Sequence, residues 1–175
     1  MSKQDEQATG KAEPSSQARV IDSRVGFQAT VQWSLQMALA REARTIYLAD
    51  PDFTDWPLDA AGWIEPLTAW LKRPQRRLVM IASGFERIQQ LHPRFNAWRP
   101  PFSHAIDARI PDPDLAVEWP TVLVDDGPVS MQLFDHTHWR GRAGVDARDA
   151  KACRELVDVL LQRSTPAWPV RPLGL

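Results

Sequence analysis

The stretch Trp119-Pro-Thr-Val-Leu-Val-Asp-Asp-Gly127 decides the reading of the chain. Val122, Leu123 and Val124 form a short apolar run closed by two acids and a glycine, the pattern of a buried strand ending in a turn. Beyond it, Asp126-Gly127-Pro128 leaves room only for a tight connection. A second apolar run, 129–134, therefore returns as the partner of a hairpin.

Working backward, two more runs read as strands: Thr45-Ile-Tyr-Leu-Ala49, and Arg76-Arg-Leu-Val-Met-Ile-Ala82, the latter apolar enough to be central. Residues 105–110 read as another strand, with a turn at Pro111-Asp-Pro-Asp114. Phe27, Val31, Leu35, Ala38 and Leu39 recur at helical spacing and predict a helix from 26 to about 43. Asp59 is placed to cap a second helix running to about 72, which Pro66 is expected to kink or split. Short helical segments are expected at 85–91 and 94–98, and a short strand at 142–145. Asp146, with Asp149 three residues on, opens a last helix with an expected buried stripe of Cys153, Leu156, Val157, Leu160 and Leu161. Strands alternating with helices and then a hairpin predict an α/β fold, a mixed sheet flanked by helices.

Residues 1–22 are polar and without period, and are expected to form a disordered tail ahead of a single domain at 23–175. The tail at 165–175, with three prolines, is expected to lie extended against the body. Hydrophobic residues make up 43% of the 175 and charged residues 25%, enough for a globular core. The net charge of −1 and pI near 6.4 imply no positive field, which speaks against nucleic acid as a partner. One cysteine permits no internal disulfide and suits a reducing compartment; with no apolar leader or spanning run, the expected location is the cytoplasm, with no membrane partner. The 8 tryptophans exceed what one small core normally uses; they are read first as filling the core and capping its edges, and alternatively as lining, in part, a partner or dimer surface.

The element order and the central stretch resemble the phospholipase D-like domains, whose motif is His-x-Lys-x-x-x-x-Asp, usually followed by Gly. Aligning Asp126-Gly127 with that Asp-Gly puts Trp119 at the histidine position and Thr121 at the lysine position. The chain is also similar to a bacterial family with a degenerate phospholipase D-like domain, through Asp125-Asp126 at the strand end, the last helix and the ending Ser164-Thr-Pro-Ala-Trp-Pro-Val-Arg-Pro-Leu-Gly-Leu175. The likeness would cover about 25–175. It implies a phospholipase D-like half. In active relatives two such motifs meet across a tandem or dimer interface, histidine attacks phosphorus, and lysine offsets charge on the transferring group. Indole nitrogen only donates, and threonine carries no charge, so neither replacement performs those tasks. The expectation is a non-catalytic module, with no cofactor, that binds a protein partner or pairs as a symmetric homodimer near Trp119.

Other constellations define the alternatives. His136 and His138, with His104 and Asp126, could form a non-standard phosphodiesterase or phosphatase site; as an isolated His-x-His at a strand end, the pair reads first as solvated loop histidines. Arg140 and Arg142 form a candidate anion site, and Lys72-Arg-Pro-Gln-Arg-Arg77 a basic cluster that reads first as a solvated helix end; nucleotide or nucleic-acid binding through them is the weakest alternative. Asp50, Asp52 and Asp55 could bind Mg²⁺ but more simply make turns, so no metal is assigned. Gly84 alone is no phosphate loop, and Cys153 on a buried stripe is not a nucleophile.

Overall fold

A computed structural model describes residues 18–170. Eight strands form one open mixed sheet: β1 (Arg19–Ile21), β2 (Thr45–Ala49), β3 (Arg77–Ile81), β4 (Ile106–Pro111), β5 (Thr121–Asp125), β6 (Val129–Asp135), β7 (Arg140–Val145) and β8 (Ser164–Pro166). Their order across the sheet is β1-β7-β6-β5-β2-β3-β4-β8. β2, β3 and β4 are parallel to one another, and every other pairing is antiparallel. The α/β architecture read from the sequence is thus present.

Five helices cover the sheet: α1 (Arg24–Ala40), α2 (Ala61–Leu71), α3 (Glu86–Leu91), α4 (Pro93–Trp98) and α5 (Ala147–Gln162). Alternation along the strands divides the core in two. Ile46, Leu48, Leu78, Met80 and Leu123 face the larger cluster under α1 to α4. Tyr47, Ala49, Val79, Ile81, Val122 and Val124 face the smaller cluster under α5. β2, β3 and β5 are buried on both faces, which is why their sequences read as unbroken apolar runs.

Several expectations are corrected. Arg19–Ile21, inside the span expected to be disordered, pairs with β7: Ile21 is buried, and Arg19 lies over the Trp33 ring at 4.7 Å. One apolar anchor and a free strand edge offset the ordering of so short a segment. The rest of the expected tail, residues 1–17, lies outside the described residues. Helix α2 runs unbroken through Pro66; the bond that Pro66 cannot donate would have gone to Gly62, an exposed residue. Asp59 does not cap α2. Its carboxylate accepts from the backbone N–H groups of Arg94 (3.3 Å) and Phe95 (2.8 Å), in the first turn of α4. Asp146 caps α5 by accepting from Arg148 and Asp149, whereas the Asp149 side chain pairs with Arg142 at 3.0 Å. Leu156 is 39% exposed, so the stripe is Ala150, Cys153, Val157 and Leu160.

The hairpin of β5 and β6 forms as expected, but Asp125, not Asp126, holds its turn. Asp125 Oδ1 accepts from Gly127 (2.9 Å) and Val129 (3.0 Å). Asp126 instead accepts from the backbone of Arg44 at 3.2 Å and ties the hairpin to the start of β2. The extended end begins as β8 on β4, and Trp168 stacks on Phe85 at 5.0 Å; residues 171–175 of the expected terminal motif lie outside the described residues. All eight tryptophans are buried or half-buried. No described helix is long and apolar enough to cross a membrane.

Candidate functional site

Strand direction decides which side chains can meet. β5 runs antiparallel to β2, and β6 antiparallel to β5. The carboxyl ends of β2, β3, β4 and β6 therefore share one rim of the sheet with the amino end of β5. Asp50, Thr121 and His136 lie on that rim, from three distant parts of the chain.

They form one hydrogen-bonded line. Asp50 is 5% exposed. Its Oδ1 accepts from the backbone N–H of Asp52 (3.0 Å) and Phe53 (2.7 Å), and its Oδ2 accepts from the Thr121 hydroxyl at 2.7 Å. Thr121 has a single hydroxyl proton, given to Asp50, so its oxygen accepts from His136 Nε2–H at 2.9 Å. This fixes the imidazole tautomer and leaves Nδ1 without a partner among the described residues. Thr121 itself is fully buried.

The walls around this line carry backbone strain. Phe53 takes φ 59° and Trp139 φ 52°, left-handed values rare for bulky residues. Phe53 is held there by Asp50 and by buried His92, whose Nε2–H donates to the Phe53 carbonyl at 2.8 Å. Between these walls lies a cleft of about 340 Å³ lined by Asp50, Asp52, Asp55, Arg87, His136 and Trp139, among others. Asp55 pairs with Arg24 at 2.8 Å, while Asp52 caps Thr54 at 2.9 Å. The three acids here thus make turns and ion pairs. Among the described residues no group of three or more His, Cys, Asp or Glu side chains is arranged to hold a metal ion.

His136 also lines a smaller groove of about 210 Å³, bordered by Trp119, Pro120, Phe134 and Leu156. Phe134 is 53% exposed and Leu156 39%. β6 turns Ser130, Gln132 and Phe134 toward the α5 face, and α5 ends its coverage short of Phe134. That alternation was a signal available in the sequence that would have marked Phe134 as an outlying aromatic.

The sequence-derived sets disperse. Trp119 borders the groove and Thr121 is buried beneath the cleft, whereas Asp126 sits on the opposite rim. His104 precedes β4, also on the opposite rim, and is exposed. His104 and Asp126 therefore cannot join His136. His138 faces Asp135, its Nδ1 2.8 Å from the carboxylate, and is exposed. The backbone N–H bond from His138, then that side-chain contact and a backbone bond from Thr137, hold the Asp135 carboxyl below its ordinary range. Arg140 and Arg142 both lie exposed on β7, but Arg142 is engaged with Asp149 and lies 5.7 Å from the Phe134 ring. Cys153 is buried, and burial pushes its thiol pKa up, as befits an inert core residue. Asp50, read as a turn acid or a Mg²⁺ ligand, and Thr121, read as a lost lysine, are the residues whose roles the sequence did not disclose.

The arrangement constrains chemistry. A fully buried hydroxyl shared between a carboxylate and an imidazole cannot reach a substrate. The cleft wall carries both signs of charge, its acids facing Arg87 and, through Asp55, Arg24. His136 is the member of the line open to solvent.

The sequence matches no protein-family model and none of the curated proteins. Among solved structures the chain is similar to TrmBL2, described as an archaeal chromatin protein showing a novel mode of DNA binding. The TM-score is 0.61 at 14% identity, over 91% of this chain. The likeness is one of fold. The chain spans 57% of the length of that neighbour.

Proposed function

We propose that the chain is a non-catalytic phospholipase D-like module that binds a protein, a second copy of itself in the first instance, through the groove beside Trp119. The observation that carries this reading is the exposure of Phe134 (53%) and Leu156 (39%) next to Trp119 and Pro120. Exposed aromatic and aliphatic side chains grouped beside a half-buried tryptophan are the composition of a recognition surface. The absence of chemistry rests on Trp119 and Thr121 in the histidine and lysine positions, and on the burial of Thr121. A symmetric pair requires only that this one patch be self-complementary. The reducing, cytoplasmic setting read from the single cysteine belongs to the same proposal.

Sedimentation velocity at high micromolar concentration tests it. The natural chain should sediment as a dimer, and Phe134→Asp as a monomer with unchanged circular dichroism. The same preparations should leave a chromogenic phosphodiester intact. A monomeric natural chain refutes self-association, and hydrolysis refutes the non-catalytic reading.

One observation favours a second reading. The line Asp50–Thr121–His136 orients an imidazole beside a cleft, as a general base or nucleophile requires. On that reading the chain is a phosphodiesterase or phosphatase-type hydrolase, and His136→Ala would abolish any turnover found. Nucleic-acid binding is the weakest reading: the DNA-binding neighbour shares a fold at 14% identity, and this chain carries a net charge of −1.

A further inference from the structure

We infer that a second cleft, centred on Arg99, is a binding site for a small organic carboxylate. Arg99 closes α4 and is 5% exposed, yet its side chain has no hydrogen bond and no ion pair among the described residues. Its Nε is buried with no partner. A guanidinium cannot shed its proton, so the charge stays where the fold has placed it. Buried charges in folded proteins are normally paired, and here no described residue forms an ion pair with Arg99. Burial alone holds the Arg99 pKa below that of an ordinary arginine.

The side chain is positioned rather than stranded. It lies 3.8 Å from the centre of the Trp168 ring, an arrangement that holds a guanidinium plane by cation–π attraction. Trp168 takes φ 50° and is stacked at 17° on Phe85, with centroids 5.0 Å apart. A left-handed tryptophan thus backs an arginine whose Nε has no partner among the described residues. That edge borders a cleft of about 560 Å³, larger than the cleft at His136 and separate from it.

The rest of the lining selects among anions. A guanidinium fork matches both carboxylate and phosphate. Glu86, on the same wall, makes no ion pair with Arg99 and places a negative charge beside the site, which disfavours a dianion relative to a monoanion. Gln89 and Asn96 offer amide donors and acceptors, and the Phe85–Trp168 stack offers an apolar wall. A carboxylate on a planar apolar body satisfies all three features. The site lies away from the groove beside Trp119, so it stands whether or not that groove binds protein.

Isothermal titration of the full chain with sodium benzoate, and separately with inorganic phosphate, tests the assignment. Benzoate should bind saturably, one per chain, and raise Tm, with phosphate weaker. Arg99→Lys, which keeps the charge but not the fork, should weaken benzoate by about tenfold or more. Arg99→Met should abolish it. Should Arg99→Met fail to fold, Arg99→Lys and Trp168→Leu carry the test, both with weakened binding expected. No saturable benzoate binding at millimolar concentrations overturns the site. Phosphate binding tighter than benzoate overturns the choice of carboxylate, and undiminished binding by the Arg99 variants overturns the role of Arg99.

Discussion

Thr121→Val removes one hydroxyl and leaves the side-chain shape nearly unchanged, so it isolates the line between Asp50 and His136. Thr121 is fully buried and Asp50 is 5% exposed, so water cannot replace the lost donor at Asp50 Oδ2 without entering the core. A hydrogen bond to a charged group contributes about 1.5–3 kcal/mol. The bond to His136 adds little, because that imidazole is exposed and can turn to water. The expected loss is therefore about 2–3 kcal/mol. For a chain of this size that lowers Tm by about 4–12 °C. Urea unfolding followed by tryptophan fluorescence reads it directly, with an unchanged m-value showing that the unfolded state is unaffected. Asp50→Asn keeps an acceptor for the Asp52 and Phe53 N–H groups while removing the charge. The double variant should thus show a coupling of about 0.5 kcal/mol or more. A loss below about 0.5 kcal/mol for Thr121→Val, or strict additivity with Asp50→Asn, would refute the idea that this hydroxyl ties β2 to β5.

Two further outcomes are expected. Leu160→Ala, at a position 1% exposed, should cost about 2–5 kcal/mol, while Leu156→Ala, at 39% exposure, should cost about 1 kcal/mol or less; equal losses in chemical denaturation would mean that α5 is rotated from the orientation described. Asp125 is buried, and that burial, opposed by N–H bonds from Val129 and Gly127, raises its pKa above the ordinary 3.8. The folded state therefore holds a proton that the unfolded state has released, and stability falls as pH rises from about 3.8 through the raised value. Asp125→Asn removes that dependence, so its stability relative to the natural chain should improve with rising pH across this window. A difference that is flat in pH would contradict it.

The legible parts of the fold are those whose physics is local. β2, β3 and β5 announced themselves because burial on both faces demands consecutive apolar residues. Asp146 announced the start of α5 because a cap acts within a few residues. β1 was illegible because three residues with a single inward side chain, Ile21, carry no periodic signal; their order comes from pairing with β7 more than a hundred positions away. Pro66 misled because the penalty of an interior proline depends on whether the freed carbonyl is wet, which a sequence does not state. Leu156 misled because apolar spacing on a helix marks a face, not how far the covering sheet extends.

The site was illegible for a different reason. Each of its members was visible and each was read in its own neighbourhood: Asp50 as a turn acid, Thr121 as a missing lysine, His136 as half of a His-x-His. Asp50 and Thr121 are 71 positions apart, and they meet because β2 and β5 lie side by side and antiparallel. That adjacency is a property of strand order, to which no residue type in either segment points. The same antiparallel step sends Asp126 to the far rim. A strand rises about 3.3 Å per residue. The five steps from Thr121 to Asp126 therefore set those two residues roughly 16 Å apart. A motif that reads as one constellation along the chain is thereby split between two rims. Its first part helps build the groove and the buried polar line on one rim, and its last part anchors a hairpin on the other. Of the two parts, only the first lies on the rim where His136 is the solvent-exposed member of the buried polar line.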